Sequence, residues 1–231
     1  MAKKPDFFPR VLIMNIVKLF DGVYSIDGKL ATENSVKGNR VYNEDLIEDG
    51  DVEYRLWNPY RSKLAAAILK GLKNFHIKRD SRVLYLGAAT GTTSSHVSDI
   101  AKDGQIFCVE ISERNMRGLL GTCEKRENMF PILSDANNIN EYKSIVNECD
   151  IIYQDVSVKE QAKMLNINSV MLKKGGYAYF IIKSQSIDIS KNPKEIFEDE
   201  LREVSKNFEI IEKIDIEPFD SLHLFVVLQK K

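Results

Sequence analysis

The sequence predicts an α/β protein in which a doubly wound parallel sheet follows a small antiparallel β unit. From Val83 onward, short apolar strings typical of buried strands alternate with helix-like segments. Upstream, β-branched and aromatic residues are separated by turn pairs such as Asp21-Gly22, a pattern typical of antiparallel hairpins. We therefore expect a β-rich domain over residues 1–55 and a second domain over residues 56–231.

Composition excludes several classes of protein. Of the 231 residues, 43% are hydrophobic and 29% are charged, which is typical of a globular chain. No apolar run is long enough to span a membrane, and residues 1–20 are interpreted as a first strand and not as a signal peptide. The cysteines show neither paired nor metal-ligand spacing, which predicts no metal site and a reducing, cytoplasmic setting.

Charge is distributed unevenly along the chain. The net charge of −1 gives no overall signature of nucleic-acid binding. Basic residues nevertheless predominate between Tyr60 and Arg82, where Asp80 is the only acidic residue. This stretch is either a solvated helix face or a local surface that attracts a polyanion.

The second domain is predicted to open with a helix at Asn58-Pro59, because Asn is a favoured N-cap and Pro a favoured first residue. Leu64, Ile68, Leu72 and Phe75 then recur at helical spacing.

Strands and helices follow in alternation. The predicted strands are VLYLG, QIFCVEI, MFPILSD, DIIYQDV and YAYFIIK, with helices between them. The last two strands, FEIIEKIDIEP and LHLFVVLQ, are joined directly. We expect them to form an antiparallel pair at or near an edge of the sheet.

Ligands of a doubly wound sheet bind at the carboxyl ends of its strands. In this chain those ends are the turn Gly87–Thr93 and then Glu110, Asp135, Asp155 and Lys183. The turn has small residues that leave room for a ligand. Ala89 stands where a dinucleotide-binding loop has its middle glycine, which disfavours a dehydrogenase.

The acidic strand ends indicate the cofactor. Glu110 is placed to accept hydrogen bonds from the two hydroxyls of a ribose, and Asp135 from an adenine amino group. An acidic pocket suits a positively charged sulfonium better than phosphates. The sequence therefore predicts S-adenosylmethionine as the cofactor.

Four longer strings, WNPYRSKLAAAI, VLYLGAATGTTSSHVSDI, DIIYQDV and YFIIKSQSID, closely resemble the fibrillarin family in its short archaeal form. The resemblance extends from DGVYSIDGKLATENSV to FDSLHLFVV, and the Gly/Arg-rich tail of eukaryotic members is absent. It implies a Rossmann-like S-adenosylmethionine-dependent methyltransferase fold behind a small N-terminal antiparallel β domain.

The resemblance also implies a function. Members of the family are guide-RNA-dependent ribose 2′-O-methyltransferases that act on ribosomal RNA, and in archaea also on transfer RNA. They work inside a box C/D ribonucleoprotein. The implied partners are a Nop-domain scaffold protein, a kink-turn-binding subunit that resembles a ribosomal protein, the guide RNA and the target RNA.

The family's cofactor contacts fall on matching positions of this sequence. One position departs from the pattern: Val158 stands where the family usually has a glutamine, and Gln154 or Gln161 are candidates to compensate. Together with the turn residues, the expected cofactor-binding residues are Gly87, Ala89, Gly91, Thr92, Thr93, Glu110, Ile111, Asp135, Ala136, Asp155, Val156, Ser157 and Val158.

The implied catalytic group is Lys63, Asp155 and Lys183, with His223 as a fourth member. A ribose hydroxyl is a weak nucleophile that needs its proton removed or its alkoxide stabilised. Lys183 ends a buried strand and is the expected base. Asp155 would hold that lysine, and Lys63 would orient Asp155 or a phosphate of the target.

Two other functions are compatible with the fold. A methyltransferase for a small molecule or a protein would need neither the basic stretch nor the two lysines. A non-enzymatic assembly platform would not need Lys63, Asp155 and Lys183 together, so their presence argues against it. The replacement of the usual glutamine by Val158 is compatible with such a platform.

Overall fold

The computed structural model describes residues 14–231, in which two β-sheets are flanked by helices. The predicted first strand is present at Ile16–Phe20, and residues 1–13 lie outside the described part. The first sheet contains β1 (Ile16–Phe20), β2 (Val23–Ile26), β3 (Lys29–Glu33), β4 (Leu46–Asp49) and β5 (Val52–Leu56). The second contains β6 (Arg82–Leu86), β7 (Gln105–Glu110), β8 (Met129–Leu133), β9 (Cys149–Gln154), β10 (Leu172–Lys183), β11 (Phe208–Asp215) and β12 (His223–Lys230).

Helices occupy the connections. They are α1 (Lys63–Leu69), α2 (Thr92–Ile100), α3 (Glu113–Cys123), α4 (Lys143–Val146), α5 (Gln161–Asn168), α6 (Ser184–Ile187) and α7 (Pro193–Val204), with short 3₁₀ turns at Ile139–Glu141 and Ser169–Met171.

The first sheet has the order β1-β2-β3-β5-β4 and is antiparallel throughout. Gly22 and Gly28, the second residues of the predicted turn pairs Asp21-Gly22 and Asp27-Gly28, have φ values of 71° and 81°. Those left-handed angles favour glycine, which explains why the two tight hairpins fall where the sequence places them.

The second sheet has the order β11-β12-β10-β9-β6-β7-β8. Strands β6 to β10 are parallel, and β12 is antiparallel to both β10 and β11. The predicted antiparallel pair is therefore present, with β11 at the edge. Because β12 runs against β10, the amino end of β12 lies beside the carboxyl end of β10.

The predicted start of the first helix is wrong. Helix α1 begins at Lys63, because Ser62 Oγ accepts a hydrogen bond from Ala65 N at 3.4 Å and caps it. Asn58 Oδ1 instead accepts from Tyr60 N at 2.9 Å, which forms a local turn. Helix α1 ends at Leu69, so Leu72 and Phe75 follow it, although both still pack on the same apolar cluster.

Helix α7 is an element that the sequence analysis missed. Its signal is the pair Asn192-Pro193, because Asn192 Oδ1 accepts from Lys194 N at 3.0 Å and Pro193 is the first helical residue.

The small sheet packs onto α2 through a buried interface. Trp57 stacks on His96 with ring centroids 4.7 Å apart, and Arg55 forms ion pairs with Glu44 and Asp99 at 2.6 and 2.7 Å. Buried residues of both sheets belong to one apolar cluster, so the domain division at residue 55 stays a prediction.

The described residues 14–231 bear on the expectations for membrane spans, cysteines and metal ligands. No helix there is long and apolar enough to cross a bilayer. Cys108, Cys123 and Cys149 are free and buried, and no cluster of metal-ligating side chains occurs in this part of the chain.

Candidate active site

A pocket of about 390 Å³ lies at the carboxyl ends of β6 to β10, which is large enough for a nucleoside-sized ligand. It contains most of the residues expected to bind the cofactor. These are Gly87, Ala89, Glu110, Ile111, Asp135, Ala136, Asp155, Val156, Ser157 and Val158, and Lys183 lines it too. The wall is completed by five residues that were not predicted from the sequence: Val109, Ser112, Asn115, Ser134 and Met164.

The turn after β6 forms one side of the pocket. Gly87 has a φ of 81°, and a Cβ at this position would lie 2.5 Å from the carbonyl oxygen of Asp155. Only glycine allows the turn to come this close to the segment after β9. The close approach brings the small-residue turn and Asp155 onto the same pocket.

Glu110 connects this turn to β7. Its Oε2 accepts from Ala89 N and its Oε1 from Ser112 N, both at 2.8 Å. Each carboxylate oxygen has a second lone pair, so Glu110 can still accept from ligand hydroxyls. Asp135 is exposed on the pocket wall, and its Oδ1 accepts from Asn137 N at 2.8 Å.

Three of the expected cofactor residues do not line the pocket. Gly91 has a φ of 95° and packs against Thr122. Thr93 Oγ1 donates to Ser62 Oγ at 3.1 Å and thereby joins α2 to the start of α1. Thr92 is half-buried at the first turn of α2. Cofactor contacts of these three residues stay predictions.

Compensation for Val158 by Gln154 or Gln161 stays a prediction. Gln154 and Gln161 are fully buried and neither lines the pocket. Gln161 donates to the carbonyl oxygens of Val158 and Lys183 and accepts from Lys183 N at 2.9 Å. Gln154 Nε2 donates to Gln161 O at 2.8 Å. Both glutamines therefore fix the backbone behind the pocket.

Three of the four predicted catalytic residues are in contact, because Lys63 and Lys183 both pair with the carboxylate of Asp155. Asp155 Oδ1 lies 2.7 Å from Lys183 Nζ, and its Oδ2 lies 3.2 Å from Lys63 Nζ. Lys183 Nζ also lies 3.2 Å from Ser157 Oγ. The lysines come from the end of β10 and the start of α1, so tertiary structure alone brings them together.

His223 joins the same cluster through a residue that the sequence analysis missed. Asp220 Oδ1 lies 2.8 Å from His223 Nδ1, and Asp220 Oδ2 lies 3.4 Å from Lys63 Nζ. His223 is the residue paired with Lys183 across β10 and β12. All four predicted residues thus lie in one group, with Asp220 as a fifth member.

The charges in this group determine its ionisation. Burial favours a raised pKa for Asp155, but the charges of Lys63 and Lys183 outweigh it and hold that pKa below its usual value. Burial opposes the charge of Lys63, yet Asp155 and Asp220 raise its pKa above the usual value. Lys63 is therefore an ammonium and Asp155 a carboxylate at neutral pH.

The basic stretch does not form one surface. Arg61 is exposed two residues before Lys63, and its guanidinium lies over the ring of Tyr42 at 5.7 Å from the centroid. Arg79 instead pairs with Asp103, and Arg82 donates to the carbonyls of Val146 and Glu148 at the opposite edge of the sheet.

Comparison with known proteins gives the family. The fibrillarin family model matches residues 14–231. The chain belongs to the fibrillarin family. A fibrillarin-like rRNA/tRNA 2′-O-methyltransferase of Methanocaldococcus jannaschii is 49% identical over 222 residues, which cover 93% of this chain and 96% of that protein.

Solved fibrillarin structures agree with the fold. Aeropyrum pernix fibrillarin in complex with natively bound S-adenosyl-L-methionine has a TM-score of 0.84 and 40% identity, covering 94% of this chain and all of that one. A fibrillarin/Nop5p complex has a TM-score of 0.86 and 38% identity, covering 93% and 100%. The predicted methyltransferase fold with its antiparallel N-terminal sheet is confirmed.

Proposed function

We propose that this fibrillarin-family chain transfers a methyl group from S-adenosylmethionine to a ribose 2′-hydroxyl of ribosomal or transfer RNA. The main support for this function is that Lys63 and Lys183 both pair with the carboxylate of Asp155, which lines the pocket. Such a group positions a hydroxyl and stabilises negative charge on its oxygen. The name of the Methanocaldococcus jannaschii relative supports the same reaction.

The pocket residues fit the proposed cofactor. When bound, S-adenosylmethionine supplies an activated methyl group on a positively charged sulfur. The exposed carboxylate of Asp135 and the free lone pairs of Glu110 suit its adenosine, and Ile111 offers an apolar side chain, 66% exposed, beside them. The bound cofactor of the Aeropyrum pernix relative supports this assignment.

Each charged residue has a task in this proposal. Lys183 and Lys63 hold the hydroxyl oxygen or a neighbouring phosphate, and Asp155 fixes both ammonium groups. Holding the hydroxyl in line with the methyl group supplies a large part of the rate, because proximity and orientation alone contribute about 7–11 kcal/mol in favourable cases.

The proposed partners follow from the family. A Nop-domain scaffold is supported by the fibrillarin/Nop5p complex of a relative. The kink-turn-binding subunit and the box C/D guide RNA rest on the resemblance of the sequence motifs. The proposed setting is the cytoplasm of an archaeal-type cell, where guide pairing chooses the nucleotide.

Single-turnover methylation of a guided RNA by the assembled particle tests the reaction. Lys63→Ala and Lys183→Ala are expected to lower the rate at least tenfold, with the Kd for S-adenosylmethionine changed less than threefold. Lys70→Ala, at the exposed end of the same helix as Lys63, is the matched control and should keep the wild-type rate. A loss of cofactor affinity that accounts for the whole rate loss contradicts the proposed roles.

A further inference from the structure

The loop between β11 and β12 holds its last residues firmly against the active site. Leu222 has a φ of 61°, which is unusual for a bulky side chain. Its carbonyl oxygen accepts from Ser184 N at 3.3 Å and from Ser184 Oγ at 2.9 Å. The residue after Lys183 thus fixes the residue before His223, so the two side chains keep a constant relation.

Asp220, in this loop, bridges two members of the active-site group. One carboxylate oxygen lies 2.8 Å from His223 Nδ1 and the other lies 3.4 Å from Lys63 Nζ. Opposite charges therefore alternate from Lys183 through Asp155 and Lys63 to Asp220, whose carboxylate contacts the imidazole of His223. Asp220 does not line the cofactor pocket.

The partners of His223 determine its tautomer. Nδ1 lies 2.8 Å from the carbonyl oxygen of Ser221 as well as from Asp220 Oδ1. Both are acceptors, so Nδ1 carries the proton and Nε2 of the neutral ring has a free lone pair. Nε2 has no hydrogen-bond partner within the described residues 14–231, and the side chain keeps 19% of its surface exposed.

We propose that Asp220 is a positioning residue that holds His223 with Nε2 as the acceptor of the ribose hydroxyl proton. This role rests on the proposed function. The 2′-oxygen forms a bond to the methyl carbon, while the bond from that carbon to sulfur breaks and leaves its electron pair on sulfur. The hydroxyl proton moves to Nε2, so the positive charge lost at the sulfonium reappears on the imidazolium beside Asp220.

The surrounding charges favour His223 over the lysines as the acceptor. The charged groups that act on it are Lys63 from α1, Lys183 from β10 and Asp220 from its own loop. Both lysines already pair with Asp155. Burial lowers the pKa of His223, Asp220 opposes this, and the charges of Lys63 and Lys183 lower the pKa further, to a net value below the usual one. His223 is therefore neutral at neutral pH.

This assignment changes the role of Lys183. Its position at the end of a buried strand predicts a base, whereas its 2.7 Å contact with Asp155 suits an ammonium that stabilises the developing alkoxide.

The test is the pH dependence of single-turnover methylation by the assembled particle with the full chain. Asp220→Asn removes the charge that opposes the lowered pKa of His223. We expect the acid limb of the rate profile to move to lower pH and the plateau rate to fall about 10- to 100-fold, which is part of the roughly 100- to 10,000-fold that a positioned proton acceptor typically contributes. Asp220→Glu should recover part of the rate, and the Kd for S-adenosylmethionine should stay within twofold.

Glu217→Gln is the matched control, because Glu217 is an exposed carboxylate of the same loop. It should keep both the rate and the acid limb of wild type. A wild-type rate for Asp220→Asn, or a lower rate with the acid limb unmoved, overturns the positioning role. A wild-type particle that transfers no methyl group to a guided ribose refutes the proposed function itself, so the two failures are distinguishable.

Discussion

Replacing Gly87 by alanine tests the close contact that brings the cofactor turn to Asp155. The residue has a φ of 81°, a conformation that costs an L-residue such as alanine about 1–2 kcal/mol. The added Cβ would lie 2.5 Å from the carbonyl oxygen of Asp155 and 3.0 Å from Val156 Cγ1. Backbone on one side of the contact must therefore move.

The displaced backbone carries the catalytic carboxylate. Asp155 N donates a hydrogen bond to Leu86 O at 3.0 Å, directly before Gly87. The strain therefore falls on the place where the ends of β6 and β9 are hydrogen-bonded to each other. A shift of about 1 Å at a reacting group typically costs about 100-fold in rate. We expect Gly87→Ala to lower the free energy of unfolding by about 1–3 kcal/mol and the methylation rate by about 100-fold.

Gly121→Ala is the matched control for this substitution. Gly121 lies exposed inside α3, and a Cβ there meets nothing within 4 Å. Alanine at such a position stabilises by about 0.4–1 kcal/mol. Urea denaturation and single-turnover methylation measure both variants. Wild-type stability and rate in Gly87→Ala would refute the reasoning from the close contact.

Three other substitutions test separate parts of the structure. Asp155→Ala should abolish methyl transfer in the assembled particle while circular dichroism shows the fold retained; full activity contradicts its assigned role. Arg55→Met should lower the free energy of unfolding in urea by about 3–5 kcal/mol, because buried Glu44 loses its ion-pair partner and buried Asp99 keeps only Arg126; a change below 1 kcal/mol contradicts this. Burial, with the charges of Arg55 and Arg126, holds the pKa of His96 far below its usual value. The unfolded state therefore binds more protons below about pH 6.5, and stability should fall there by up to about 1.4 kcal/mol per pH unit. His96→Gln should flatten that slope, and an unchanged slope contradicts the assignment.

The strands and their acidic ends are predictable from sequence because their signals are local. An apolar run followed by Gly87, Glu110 or Asp135 identifies both the strand and the point where it ends. Parallel topology then brings those ends to one edge of the sheet, which places the cofactor pocket without knowledge of any distance. The predicted pocket and the observed one accordingly share most of their residues.

Competing local signals explain the misplaced start of α1. Asn58 and Ser62 are both good N-cap residues, and Pro59 favours the earlier one. The structure uses Asn58 for a turn and Ser62 for the cap, because Ser62 also accepts a hydrogen bond from Thr93. That contact joins residues 31 positions apart, so the local sequence around Asn58 and Ser62 does not indicate it.

Asp220 was missed for a similar reason. Its proximity to Lys63 depends on β12 lying antiparallel beside β10, which brings the loop after β11 to the carboxyl edge of the parallel strands. Gln154 and Gln161, in contrast, were expected at the pocket but do not line it. Sequence position suggests that they face the cofactor, but their amides satisfy buried backbone groups behind the pocket.

Mapping of ribose methylation with interchangeable guides tests the proposed function most directly. The wild-type chain is assembled with its scaffold, the kink-turn-binding subunit and either of two guide RNAs, then given S-adenosylmethionine and a target RNA. Mass spectrometry of nuclease fragments locates the new methyl group. We predict a single 2′-O-methyl group at the nucleotide that each guide specifies, and none without a guide. Methylation of a base, or of the same ribose whichever guide is present, would contradict guide-directed ribose methylation.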